Sequence, residues 1–246
     1  MSSALALVDD ELAEQAAELN RRFGGAPAES LLRTALTELF PGRITLVSSF
    51  GAEAAILLHL VAQIDAATPV LFIDTAKLFD HTLAYRDALV QRLGLSDLRI
   101  LRPDPARLAA LDEAGTLWFR DANACCAIRK VEPLQRGLSP FAAWINGRKR
   151  FQAGTRSRLP LVEAVDGRLK FNPLADWSAA DLAAYAARFD LPAHPLVAEG
   201  YASIGCAPCT QPVLAGEDAR AGRWRGQDKV ECGIHTALPG SRISEE

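Results

Sequence analysis

The chain has 246 residues, with 27 Lys and Arg against 30 Asp and Glu, a formal net charge of −3. That balance excludes a general basic surface for duplex nucleic acid or an anionic membrane. With 49% hydrophobic and 23% charged residues the bulk of the chain is not disordered. The longest apolar stretch, residues 54–62, is interrupted by His59 and is too short for a membrane span.

In chain order, residues 9–22 and 27–40 read as two opening helices rich in Ala, Leu and Glu, with Gly24-Gly25 between them and Pro27 in a first turn. Residues 43–49 form a short β-rich run, 53–64 a helix, and 69–74 a second strand. Residues 80–94 form a helix with Asp80 as N-cap and Gly94 as C-cap. Residues 98–101 and 141–146 supply a third and a fourth strand. Short continuous apolar strands alternating with helices predict an α/β fold with a doubly wound, mostly parallel sheet. Residues 147–158 are dense in cations and read as a mobile loop. Residues 161–174 fit a hairpin, and Ser178 caps a helix over 179–189. From Leu191 onward Pro and Gly dominate and little regular structure is expected. The division is an α/β domain over 1–190 and a cysteine-bearing extension over 191–246.

The N-terminus turns acidic at once and lacks the positive segment of a secretory signal, so a cytoplasmic location is expected. In a reducing compartment five cysteines read as metal or catalytic groups before disulfides. Cys125-Cys126 precede Cys206-Ala207-Pro208-Cys209 by 79 residues. CxxC turns two thiolates toward one metal. An adjacent pair is unusual for structural zinc and suits a 4Fe–4S cluster, whose iron corners accept neighbouring sulfurs. Free buried thiols and a redox CxxC are the other readings. Cys232, in a polar segment with Gly233 after it, is a candidate mobile nucleophile. Lys229 and His235 are near enough in sequence to favour its thiolate.

Ser48, Ser49 and Gly51 lie in a strand-to-helix turn whose amides and hydroxyls suit a phosphate; the Lys-Ser/Thr ending of a Walker A loop is missing. Asp74 and Thr75 end the second strand. Both turns lie at carboxyl ends of strands, where open α/β sheets bind ligands, so they are expected to share a pocket. Lys130 follows Cys126 by four residues and shares a face with it if this segment is helical. The loop with Arg150 and Arg156, and the run from Arg220 to Trp224 with Arg223 inside it, favour an anionic ligand in an acidic chain. His59 reads as a core residue.

Together these residues resemble the assimilatory sulfonucleotide reductases, in particular the iron–sulfur-containing adenylyl-sulfate (APS) reductases. The resemblance runs from Ser48 to His235 and is most specific at Cys125-Cys126, residues 203–209 and residues 231–235. It implies an ATP-pyrophosphatase-like (adenine nucleotide alpha hydrolase) fold in which Glu53-Ala54 replace the Asp-Ser of the ATP-cleaving loop. Ala76 stands where the family usually has glycine, and Ala153 where it has serine. The resemblance implies a 4Fe–4S cluster on Cys125, Cys126, Cys206 and Cys209. It also implies attack by Cys232 on the sulfur of APS, and release of sulfite from the S-sulfonated cysteine by thioredoxin or glutaredoxin. Lys130, Arg150, Arg156, Arg220, Arg223 and His235 would bind the phosphosulfate. The partners expected are that reductant, a small sulfonucleotide and possible further copies of the chain, with no nucleic acid and no membrane. The closest alternative is a reductase of the 3′-phosphorylated nucleotide (PAPS), for which Lys77 is the obvious extra cation. A sulfur-inserting tRNA enzyme would need a basic surface and an intact ATP-cleaving loop. A non-enzymatic iron–sulfur or zinc protein would leave Cys232 dispensable.

Overall fold

A computed structural model describes residues 2–235, with the side chains of residues 2–8 left out. Six strands form one sheet in the order β3-β2-β1-β4-β6-β5. They are β1 (Ile44–Ser48), β2 (Val70–Ile73), β3 (Leu98–Leu101), β4 (Ala143–Ile145), β5 (Val162–Val165) and β6 (Arg168–Phe171). All neighbours are parallel except the β5–β6 hairpin. The hairpin turns on Asp166 and Gly167, both at positive φ. Every residue of β1 is buried, as its unbroken apolar run requires for a strand covered on both faces.

Strand periodicity assigns the two faces. Ile44, Leu46, Val70, Phe72, Ala143, Ile145, Leu169 and Phe171 join one core cluster with residues of α1 (Ser2–Phe23), α2 (Ala28–Arg33), α3 (Ala54–Asp65), α4 (Asp80–Leu93) and α9 (Ala179–Arg188). Val47, Leu71 and Trp144 face the other way and pack on Leu134 and Leu138 of α8 (Glu132–Leu138). The connection after β1 therefore runs over one face and the connection after β3 returns over the other. The order reverses between β1 and β4, and the carboxyl ends of these strands open a crevice there.

The expected strands, the hairpin and the main helices are present. The second opening helix is shorter than 27–40: α2 passes at Thr34 into a wider π turn, Thr34–Leu39, and Pro27 occupies the N-cap instead of the first turn. Phe79, not Asp80, is the N-cap of α4, and Asp80 contributes its charge inside the first turn. Gly94 ends α4 at φ 65°, and Ser178 forms a capping box with Asp181 at α9. The unassigned stretch 105–138 holds four helices: α5 (Pro105–Asp112), α6 (Leu117–Arg120), α7 (Ala122–Cys126) and α8. Asp104 and Asp121 cap α5 and α7 with their carboxylates. Beyond Leu191 the only regular pieces among the described residues are two short 3-10 turns, Pro195–Glu199 and Ala207–Cys209. No helix among the described residues is long and apolar enough to cross a membrane.

Candidate active site

A cavity of about 250 Å³ lies over the carboxyl ends of β1, β2 and β4. Ser48, Ser49, Gly51 and Thr75 line it, as the two predicted turns required. The first turn is strained into shape: Phe50 is fully buried at φ 49°, and its amide donates to Ser48 Oγ at 3.2 Å. The N-terminus of α3 opens from this turn without a side-chain cap, and Ala52, Glu53 and Ala54 line the cavity. Ala76 is also at positive φ, 55°, in the turn after β2, which explains why glycine suits that position.

Six cations line the cavity: Lys130, Arg148, Lys149, Arg156, Arg220 and Arg223. Three of them come from the loop after β4, which contains two 3-10 turns, Arg150–Gln152 and Gly154–Arg156. Its charges are held in place. Lys149, 3% exposed, contacts Glu53 at 2.6 Å, Gln152 donates to the same carboxylate, and Arg148 pairs with Glu163. Arg156 and Arg220 both pair with Glu231, at 2.6 and 3.2 Å. Arg220 and Arg223 are carried by a loop that folds back on residues 210–211, where Gln211 donates to Gly222 O at 2.8 Å. A Cβ on Gly222 would stand 2.0 Å from Gln211 O, so only glycine fits.

Three expected residues are placed elsewhere. Arg150 does not line the cavity: it donates to Leu159 O at 2.7 Å and pairs with Asp176 on the outer side of its loop. Asp74 accepts from Ala76 N and meets Arg102 at 3.4 Å, which turns it away from the cavity. Lys77 lines the cysteine pocket instead, with its Nζ against Gly115.

Cys232 is half-buried and lines the cavity. Its segment is anchored from below. His235 stacks on Trp144 with rings 3° from parallel, and Lys170 donates to His235 O at 3.2 Å. Lys170 is fully buried on β6; burial, then Arg148, lowers its pKa to about 8. Burial, and then Lys170 and the neighbouring arginines, drive the His235 imidazole well below its usual pKa. His235 is therefore neutral and lends Cys232 no charge, contrary to the sequence expectation. Lys229 is occupied by Asn123 and lies 5.4 Å from the Trp224 ring centre. Buried polar atoms without a hydrogen-bond partner among the described residues include Arg223 Nε, Trp224 Nε1 and His235 Nδ1, all on residues lining the cavity.

The other four cysteines line one adjoining pocket with Arg129 and Lys130. Cys125 and Cys126 end α7, which passes into a π turn, Ala127–Val131. Cys206 pairs by a β-bridge with Leu78, and Ala207 donates to Lys77 O at 2.7 Å. All five cysteines are free. Burial raises the Cys125 thiol to about 12 and Cys126 to about 11, and raises Cys209. At Cys206 burial is outweighed by Lys130 and by Thr75 Oγ1 at 3.2 Å, and the thiol is lowered. Lys130 lines both the pocket and the cavity; burial opposes its charge, but Cys206 and Cys232 more than offset it and its pKa is raised.

No group of three or more His, Cys, Asp or Glu among the described residues is set to hold a single metal ion. Four thiols lining one pocket are a donor set that fits an iron–sulfur cluster, whose ligands are cysteine thiolates. The nearby cations would offset thiolate charge.

Arg129, buried in the wall, was not found by sequence reasoning. It contacts Asp112 at 2.6 Å and donates to Thr75 O at 2.8 Å, tying the cysteine helix to the turn after β2. Glu53, Arg148, Lys149, Gln152, Lys170 and Glu231 were likewise unassigned. The cation-dense loop signalled Arg148, Lys149 and Gln152 and the 231–235 motif Glu231; Glu53 was singled out only as half of the Glu53-Ala54 replacement, and Lys170 lies in neither segment.

Known proteins resemble this chain in sequence and fold. Residues 43–212 match the phosphoadenosine phosphosulfate reductase domain. The adenosine 5′-phosphosulfate reductase of Mesorhizobium japonicum is 51% identical over 96% of this chain and 92% of its own. The phosphoadenylyl-sulfate reductase structure from Candida auris superposes with a TM-score of 0.68 at 27% identity, covering 81% of this chain and 97% of that one. An FMN adenylyltransferase of Candida glabrata shares the fold alone, with a TM-score of 0.55 at 16% identity over 85% of this chain and 74% of that one. With these matches over most of its length, the chain belongs to the sulfonucleotide reductases, the family of the phosphoadenosine phosphosulfate reductase domain.

Proposed function

We propose that the chain reduces adenosine 5′-phosphosulfate to sulfite and AMP, with Cys232 as nucleophile and a dithiol protein of the thioredoxin or glutaredoxin kind as reductant. The observation that carries this reading is the position of Cys232 in a cavity lined by six cations, apart from the pocket that gathers the other four cysteines. The name of the Mesorhizobium relative supports APS as the substrate.

The β1–α3 turn and the uncapped N-terminus of α3 hold the nucleotide phosphate. Arginines and Lys130 bind the sulfate and stabilise charge on the departing AMP. The Cys232 thiolate attacks sulfur, an S–S bond forms, and the bond from sulfur to the bridging oxygen breaks with its electron pair going to AMP. A thiolate of the reductant then attacks Cys232 Sγ and expels sulfite. Its second thiol resolves the mixed disulfide, so the two electrons come from the dithiol. Cys125, Cys126, Cys206 and Cys209 hold a 4Fe–4S cluster, which when bound supplies a cross-link and a fixed charge distribution beside the cavity.

The alternative substrate is PAPS, the nucleotide in the name of the Candida auris relative. Selecting its extra phosphate needs donors to spare near the ribose. Lys77 is turned to the cysteine pocket, and Arg148 and Lys149 are already paired with Glu163 and Glu53. The shortage favours APS.

Anaerobic assays with reduced thioredoxin test the reading. APS should give sulfite at a higher kcat/KM than PAPS. Without reductant one sulfonate should add to Cys232, and Cys232→Ser should bind nucleotide but release at least about a thousandfold less sulfite, as loss of a covalent nucleophile does. Sulfonation elsewhere, or activity in the serine variant, refutes the nucleophile. An equal or higher value for PAPS refutes the substrate.

A further inference from the structure

Glu231 is the residue immediately before the nucleophile, and its carboxylate occupies the positive seat of the cavity. Arg156 Nη2 meets Glu231 Oε1 at 2.6 Å, with Arg156 Nε donating to the same oxygen at 2.8 Å. Arg220 Nη2 meets Oε2 at 3.2 Å. The two oxygens are thus shared between guanidinium groups from two separate loops, as those of an oxyanion would be. All three side chains line the cavity. The arginines are nearly enclosed, with side chains 9% and 16% exposed, so a second anion could reach them only by taking the carboxylate's place. The seat is also fixed from behind: Gln152 accepts from Arg156 at 2.7 Å and donates to Glu53 at 2.9 Å. Arg220 holds the chain itself by donating to Val230 O at 2.7 Å, a contact that does not depend on the carboxylate.

We propose that Glu231 is a surrogate anion: in the free protein it neutralises Arg156 and Arg220 and keeps Cys232 over the cavity, and the anionic end of the substrate exchanges with it on binding. This rests on the proposed function, since the incoming anion is a sulfonucleotide. Exchange preserves the charge balance, because one anion replaces another on the same two cations. The Val230 carbonyl and the Trp144–His235 stack retain the tail on either side of the displaced residue, so Cys232 stays within reach of the sulfur. The carboxylate therefore sets a threshold: only a ligand that offers the arginines more than Glu231 does will displace it. Glu231 acts through its neighbours and is a positioning and selectivity residue, with no contact to the reacting sulfur required of it.

The test compares the holoenzyme with its Glu231→Gln and Glu231→Asp variants. The probe is adenosine 5′-diphosphate, whose terminal phosphate stands where the sulfate would and offers no sulfur to attack. Removing the competing charge should tighten its binding about three- to tenfold in Glu231→Gln, the range expected from freeing partly exposed ion pairs. KM for APS should fall by a similar factor with no gain in kcat. Glu231→Asp keeps the charge and should bind like the wild type. A merely structural role predicts the opposite sign, since a loosened tail weakens binding. Unchanged or weaker binding in a folded Glu231→Gln protein overturns the exchange while leaving the proposed function standing. Failure of the diphosphate to bind any of the three proteins overturns the proposed function and the exchange with it.

Discussion

Asp112→Ala probes the ion pair on which the geometry between the two pockets rests. The Asp112 side chain is fully buried and that of Arg129 is 6% exposed. One carboxylate oxygen takes two contacts from Arg129, at 2.6 and 3.1 Å, and the other accepts from Leu117 N at 2.7 Å. The variant strands a buried guanidinium and an amide that opens α6. Breaking such a pair from one side costs about 3–5 kcal/mol, the amide included. That is about a fifth or more of the ~5–15 kcal/mol that holds a domain together. At about 2–4 °C per kcal/mol for a chain of this size, the melting temperature should fall by roughly 10 °C. Replacing both partners, as Asp112→Leu with Arg129→Met, should recover most of the loss, because no charge is left buried. The sign with pH follows from the carboxyl group. Burial opposes its charged form, but Arg129 and the Leu117 amide outweigh burial and hold its pKa below the usual 3.8. Its contribution is therefore complete above that pH and is lost as pH falls through the lower folded value. Thermal melts of the anaerobic holoenzyme, with Asp112→Asn compared across pH, measure both effects. A loss under about 1 kcal/mol at neutral pH, or a gap that widens in acid, would refute the reasoning.

Cys206→Ser should lose iron and acid-labile sulfide together and expand the protein in size-exclusion chromatography, because the 206–209 loop is stitched to the turn after β2. Gly222→Ala should separate residues 210–211 from 222–223 and weaken nucleotide binding roughly tenfold through displaced Arg220 and Arg223, which isothermal titration would read. His194 is buried and neutral: its Nδ1 accepts from Leu196 N, its Nε2 meets Thr82 Oγ1 at 3.0 Å, and burial, then His81, lowers its pKa from 6.5 to about 4. The unfolded chain binds the proton first, so stability should fall as pH drops from about 6.5 to about 4, and His194→Gln should flatten that slope in urea titrations.

The sheet was legible because its strands are buried on both faces and therefore written as continuous apolar runs, as in Ile44–Ser48. The helices over 105–138 escaped because each is short: Gly115 and Asp121 break α5, α6 and α7 from one another, and a π turn at Ala127–Val131 interrupts the period between α7 and α8. The capping signals at Asp104-Pro105 and Asp121 were there to be read. At the site, residue type and loop were readable, but side-chain direction was not. Arg150 and Lys149 are neighbours in one cationic run, yet Asp176 draws the first outward and Glu53, 96 residues away, draws the second inward. Lys170 sits at a core position of β6 where strand periodicity calls for an apolar side chain. Its place beside Trp144 across the β4–β6 pair, its ion pair with Glu163 at 3.6 Å and its bond to His235 O explain it.

Lys130 joins these parts into one machine. A regular α-helix would continue Cys125 and Cys126 directly into α8; instead the chain widens to a π turn at Ala127–Val131, a device that re-aims side chains. The turn brings Arg129 onto Asp112 and the Thr75 carbonyl, which fixes the backbone, and leaves Lys130 in the wall between the two pockets. Its ammonium is close enough to Cys206 on one side and Cys232 on the other for both to raise its pKa. A cation in that position lowers the pKa of the Cys206 thiol against the effect of burial. Anything that reorders the four-cysteine pocket therefore changes the charge felt in the cavity without touching the substrate, and the separation of four cysteines from the fifth is electrostatically incomplete by construction.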